Sequence, residues 1–195
     1  MSNELIEVKT ESGMVATAQN FLKENGGLVL PPNYDAMGAV KSLYLAFTQL
    51  TDKSGNAASK VCSPESVQQA VCTMVAKGLD PRKNQCYPIV YGSTLVLQEG
   101  AFGKVKEAKS AYADLVEINS SVIRQGDKVK ISKVKGRTIV EHETSWENMG
   151  NDIIGAYATA VFADGSTMSD IMTKKDIDKS RSKSKNGGAV YKDFP

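Results

Sequence analysis

Lysine and arginine crowd the end of the sequence. Between residues 174 and 192 stand seven of them (Lys174, Lys175, Lys179, Arg181, Lys183, Lys185 and Lys192) against two acids, Asp176 and Asp178. That segment carries +5 in a chain whose net charge is +2, which leaves the remainder at −3. A basic stripe on a mildly acidic body is the footprint of a polyanion site, because these side chains neutralise phosphates and release their counterions. A solvated helix face followed by a tail fits the same pattern. In a helix after Thr173, Lys175, Lys179 and Lys183 share a face at four-residue spacing, with Arg181 and Lys185 in a neighbouring row.

Further cations gather in the middle of the chain. Arg82 and Lys83 follow Gly-Leu-Asp-Pro at 78–81, and Lys104 and Lys109 follow the glycines at 100 and 103. A helix starting at those glycines offers backbone N–H groups to a phosphate as well. Tyr87, Tyr91, Phe102 and Tyr112 are interleaved with these lysines, and an aromatic that stacks a base contributes about 1–3 kcal/mol. Tyr91, at the tip of an expected hairpin, is the candidate for stacking. Tyr87 and Phe102 are expected to pack that hairpin onto its helix.

Catalytic constellations are missing from the sequence. His142 is the sole histidine; it stands in EHETS, with no GxSxG nearby, and is expected on the surface. No GxxxxGK[ST] is present, so the phosphate cradle of an ATP-driven enzyme is absent. Asp114 with Glu117, or Asp164 with Asp170, are the acid pairs a metal-dependent nuclease would draw on, and neither has a partner at diagnostic spacing. No cofactor or metal is expected. The cysteines (Cys62, Cys72, Cys86) are odd in number and lack CxxC spacing, which suits a reducing cytoplasm. No apolar run approaches the roughly 20 residues of a membrane span, and the N-terminus lacks a signal-peptide pattern.

These residues need elements to hold them. At 195 residues, with 41% hydrophobic and 24% charged side chains, the chain is sized for one ordinary domain. Residues 1–30 read as a mobile arm with a turn of helix. Residues 33–50 place Ala36, Val40, Leu43, Phe47 and Leu50 on one helical face. Ser63-Pro64 starts a second helix and Gly78 ends it. Runs at 86–91 and 94–98 form a hairpin around Gly92-Ser93, and a helix opens at 100–103. Strand alternation follows at 116–122, 128–133, 138–143, 153–162 and 166–172, with turns at Gly126-Asp127, Lys135-Gly136-Arg137 and Asp164-Gly165. Thr173 and Asp176 resemble a capping box for the basic helix. The fold class is α+β: N-terminal helices, then antiparallel hairpins in a meander with packed helices, as one core over 31–195.

Six motifs stand in order along this frame: GLDP at 78–81, QCYPIVYGSTL at 85–95, AFGKVKEAK at 101–109, IRQGD at 123–127, IIGAYA at 153–158 and MTKKDIDKSRSKSK at 172–185. Together they resemble the RecT family of phage recombinases, over roughly residues 30–195. The resemblance implies ATP-independent binding of single-stranded DNA and annealing of complementary strands, by a homo-oligomer arranged as a ring or helical filament. It implies a positive groove that holds one strand and then the annealed duplex intermediate. A partner exonuclease, a host single-strand-binding protein and the bacterial cytoplasm come with it, and no membrane. DNA-contacting residues on this reading are Arg82, Lys83, Tyr91, Lys104, Lys109, Lys174, Lys175, Lys179, Arg181, Lys183 and Lys185. The alternatives are an oligomeric DNA-binding module without annealing activity and a metal-dependent nuclease. The chain departs from the family pattern at Ala101, where many relatives carry Tyr, and at Ser110, where relatives often have Arg. Relatives also continue past the position of Pro195 into a basic EMAKR-type helix.

Overall fold

The structure, a computed structural model, describes residues 8–182. The elements run α1 (Glu11–Glu24), α2 (Ala36–Gln49), α3 (Ala58–Val61), α4 (Pro64–Ala76), β1 (Cys86–Tyr91), β2 (Thr94–Glu99), α5 (Ala101–Ala111), β3 (Leu115–Arg124), β4 (Lys128–Val134), β5 (Arg137–Glu143), β6 (Ile153–Phe162), β7 (Thr167–Thr173) and α6 (Lys174–Ser182). Short 3-10 turns lie at Pro81–Lys83 and Trp146–Asn148. The fold is α+β, with helices first and antiparallel strands after. The chain divides after Ala111 into a helical unit and a sheet unit.

Side-chain caps set the helix starts in the first unit. Thr10 accepts from the Gly13 N–H at 3.0 Å, Asp35 from Gly38 at 2.8 Å, and Ser63 from Ser66 at 3.2 Å, with Pro64 at the first turn of α4. The apolar stripes of these helices meet in one core: Met14 and Ala18 from α1, Val40, Leu43 and Phe47 from α2, Val67, Val71 and Met74 from α4. The segment expected as an arm therefore contributes a helix, α1, to that core. Its Met14, Val15, Ala18, Phe21 and Leu22 recur at helical spacing, a pattern diluted by the polar residues between them. Gly78, at φ +61°, closes α4, and a side chain there would strike Pro31. Hairpin β1–β2 turns Cys86, Val90 and Leu95 inward and leaves Tyr87 and Tyr91 on its outer face.

In the sheet unit β6 is the centre strand, paired antiparallel with β3 on one side and β7 on the other. Hairpin β4–β5 is inserted between β3 and β6 as a separate two-stranded piece. The strands thus depart from a plain meander. The largely polar β4 and β5 gain little from a central place, whereas the alanines of β6 do. Arg124 lies opposite Ile153, so the hairpin leaves and rejoins the sheet at one end. Register across the sheet aligns Val122 with Ala156 and Met172, and Ile118 with Ala160 and Met168. On that even-numbered face Val122, Ile154, Met168 and Met172 are exposed, the row Ser120–Ala158–Asp170 crosses its middle, and Gly136, Arg137 and Thr138 border the hollow over Ile118, Ala160 and Met168. Among the described residues of this unit only Leu115, Ile123, Gly155 and Ser169 are buried.

Candidate nucleic-acid interface

Helix α6 begins as its capping box requires. Thr173 Oγ1 accepts from the Asp176 amide at 3.3 Å, and the Asp176 carboxylate accepts from the Thr173 N–H at 3.1 Å. The Thr173 hydroxyl and amide hold the Asp176 carboxyl below the usual range. The second acid of the helix, Asp178, pairs with Lys174 at 2.6 Å. With both acids engaged, Lys175 and Lys179 stand exposed on one face, and among the described residues neither forms an ion pair. No residue of α6 is buried. Arg181 is half-buried in the last turn, while Lys183 and Lys185 lie outside the described residues.

The cations of the helical unit divide by role. Arg82 is committed to carboxylates: its Nη2 meets Asp80 at 2.8 Å and its Nη1 meets Asp35 at 3.1 Å. The Asp80 side chain is 3% exposed, so Arg82 neutralises a buried charge and ties the Gly78–Pro81 turn to the cap of α2. Lys83, Lys104 and Lys109 are exposed and free of ion pairs among the described residues. Lys104 and Lys109 point about 140° apart around α5. Between them Lys106 lies 5.0 Å over the Tyr34 ring, and burial lowers its pKa. Before the start of α5 the Gly100 N–H donates to the Gln85 carbonyl at 2.9 Å, and a methyl at Gly103 would collide with the same carbonyl. Its two glycines permit close packing against the carbonyls of Asn84 and Gln85.

Exposure of the aromatics corrects the expectation for two of them. Tyr87 is 49% exposed, Tyr91 53% and Phe102 65%, so Tyr87 and Phe102 do not pack the hairpin onto its helix. The strand alternation of β1 places Tyr87, Ile89 and Tyr91 on the outer face. That face presents two phenol rings where a base could stack.

His142 also differs from expectation. Its side chain is 6% exposed, paired through Nε2 with Asp127 at 3.0 Å and through Nδ1 with the Tyr157 hydroxyl at 3.2 Å. A carboxylate only accepts, so Nε2 carries a proton directed at Asp127. Asp127 further accepts from the Arg124 amide at 2.7 Å, the Thr144 hydroxyl at 2.7 Å and Asn148 at 3.1 Å. These donors, the Arg124 amide foremost, pull the Asp127 carboxyl far below its ordinary value. The cluster clamps the base of hairpin β4–β5 to β3 and β6. The signal in the sequence was faint: His142 shares the Thr138–Val140 face of β5 and lies opposite Val129.

Among the described residues no group of three or more His, Cys, Asp or Glu is placed to hold a metal ion, and no helix is long and apolar enough to cross a membrane. Asp164 caps its own turn by accepting from the Ser166 amide at 2.8 Å. What the surface does offer is exposed lysine on α5 and α6, with tyrosine on β1. The RecT family model matches residues 41–195, from α2 through the last basic segment. The chain belongs to the RecT family. Membership places it among single-strand annealing proteins of DNA recombination, whose ligand is single-stranded DNA. A comparison with curated proteins finds no match.

Proposed function

We propose that this RecT-family protein binds single-stranded DNA along its sugar–phosphate backbone and anneals complementary strands without ATP, working as a homo-oligomer. The observation that carries the proposal is α6, a helix with nothing buried whose acids are already engaged and whose Lys175 and Lys179 face solvent. Such a helix contributes nothing to a core and is suited to a polyanion. Lys83, Lys104 and Lys109, with Lys174, Arg181, Lys183 and Lys185, complete the proposed phosphate contacts, and Tyr91 stacks a base. Arg82 braces the turn beside Lys83 and acts on DNA only by positioning it. Annealing of this kind needs no covalent step. The protein neutralises charge and extends the strand, and the bases supply specificity by pairing.

The open even-numbered face of the sheet supports the homo-oligomer. Val122, Ile154, Met168 and Met172 stand exposed on that face, and a second copy would cover them. The ligand would arise in the cytoplasm of a bacterial host, where an exonuclease exposes single strands and a host binding protein coats them. Two complementary labelled oligonucleotides mixed with the protein in EDTA, without nucleotide, test the proposal. Faster pairing is the expected result. Binding without faster pairing would leave a DNA-binding module, and strands shortened only when magnesium is restored would make it a nuclease.

A further inference from the structure

We propose that the tip of hairpin β4–β5, through Lys133 and Lys135, is a second phosphate contact for the single strand, separate from α6. The inference rests on the DNA-binding reading above and adds residues to it.

Charge on this hairpin is zoned. At its base Lys128 pairs with Glu143 at 3.5 Å and Lys130 with Glu141 at 3.2 Å, across the strands. Towards the tip the cross-strand partner of Lys133 is Thr138, and among the described residues neither Lys133 nor Lys135 has an acidic partner. Both are exposed. Of the nearby acids, Asp164 caps its turn beside Arg137, and Asp170 shares one hollow with Gly136, Arg137 and Thr138, while neither pairs with Lys133 or Lys135. The hairpin thus offers a neutral stem and a positive end.

Backbone geometry singles out the same place. Val134 and Arg137 pair directly, leaving Lys135 and Gly136 as a two-residue loop with φ of +50° and +82°. Positive φ at both positions marks a turn that Asn-Gly or Gly-Gly would form without strain. Among the described residues the other non-glycine ones at positive φ are Asn33 and Asn84, a type that tolerates the conformation. Lysine does not share that tolerance, so a charged side chain stands where an easier turn residue was open to the chain.

The tip is also held in place. Arg137 donates to the Ser166 hydroxyl at 2.9 Å and lies 5.4 Å over the Phe162 ring, while the Asp127–His142 cluster fixes the base. A ligand met by the tip meets a positioned group, with less ordering to be done on binding. Phosphate is the occupant the charge selects, and the backbone of single-stranded DNA is the phosphate source this protein handles. The hairpin tip sits at the Phe162 end of β6 and α6 at the Gly155 end, roughly 23 Å apart at 3.3 Å per residue. Contributions over that span add independently.

The test titrates a labelled oligothymidylate with the full chain across a sodium chloride series, comparing wild type with Lys133→Ala plus Lys135→Asn. Asparagine suits the turn, so Lys135→Asn alone raises Tm while it weakens binding, a pairing that a merely structural lysine would not show. The double variant is expected to flatten the slope of log K against log salt by about 1.4, two phosphates at about 0.7 each. An unchanged slope in a folded double variant overturns the inference while the DNA-binding reading stands. Wild type that fails to bind oligothymidylate sinks both. A change in oligomer size without DNA assigns the tip to a second copy and overturns the inference too.

Discussion

Asp127 shows what one residue does here. Four donors converge on its buried carboxylate, so its folded-state pKa falls below the ordinary value of about 3.9. A depressed carboxyl contributes stability that is complete above its unfolded pKa and lost as pH falls toward its folded one. Asp127→Asn is therefore expected to melt below wild type at neutral pH, with the gap narrowing as pH drops below about 4. A gap that stays constant through the acid range would remove the charge from the explanation. Tyr91 makes the opposite kind of residue-scale case. Exposed at the tip of β1–β2, it can be lost without harm to the core. Tyr91→Ala is expected to leave Tm unchanged and to cost about 1–3 kcal/mol of affinity for single-stranded DNA, read by anisotropy. Arg82 and Lys83 are neighbours with different tasks. Arg82→Ala should lower Tm because it strands Asp80, whereas Lys83→Ala should keep Tm and weaken binding.

At the scale of elements, local chemistry was legible and distant pairing was not. Ser63-Pro64 and Gly78 bracket α4, Gly92-Ser93 and Lys135-Gly136 turn two hairpins, and Thr173 with Asp176 starts α6, all within a few residues of one another. The partnership of β3 with β6 bridges the whole inserted hairpin, and no local signal specifies it. The burial of His142 has the same origin, because Asp127 and Tyr157 approach it only after that pairing forms. Helix α1 is faint in the sequence for another reason: its apolar side chains are few, yet Met14 and Ala18 are wholly buried. Met14→Ala is expected to destabilise the protein by about 2–5 kcal/mol in a urea melt, as for a methionine removed from a packed core. A change within a few tenths of a kcal/mol would return residues 8–30 to the status of an arm.

For the whole molecule, the apolar core is concentrated in one unit. The main apolar core belongs to the unit ending at Ala111, while the unit from Tyr112 onward is a thin sheet with few buried residues and an exposed basic helix. Order and spacing of the motifs made the family legible from the chain, and the family match agrees. The candidate site was legible only in part. Spacing could place Lys175 and Lys179 on one face, but only the geometry of Asp80 and Asp35 reveals that Arg82 is already engaged. The most direct measurement is the rate at which two complementary strands pair in EDTA, without nucleotide, for wild type and for Lys175→Ala with Lys179→Ala, over a range of salt. Wild type should speed pairing, with an advantage that falls as salt rises. The double variant should bind single strands with a salt slope flatter by about 1.4 and lose much of that acceleration. Equal rates and equal slopes for the two proteins would contradict the account.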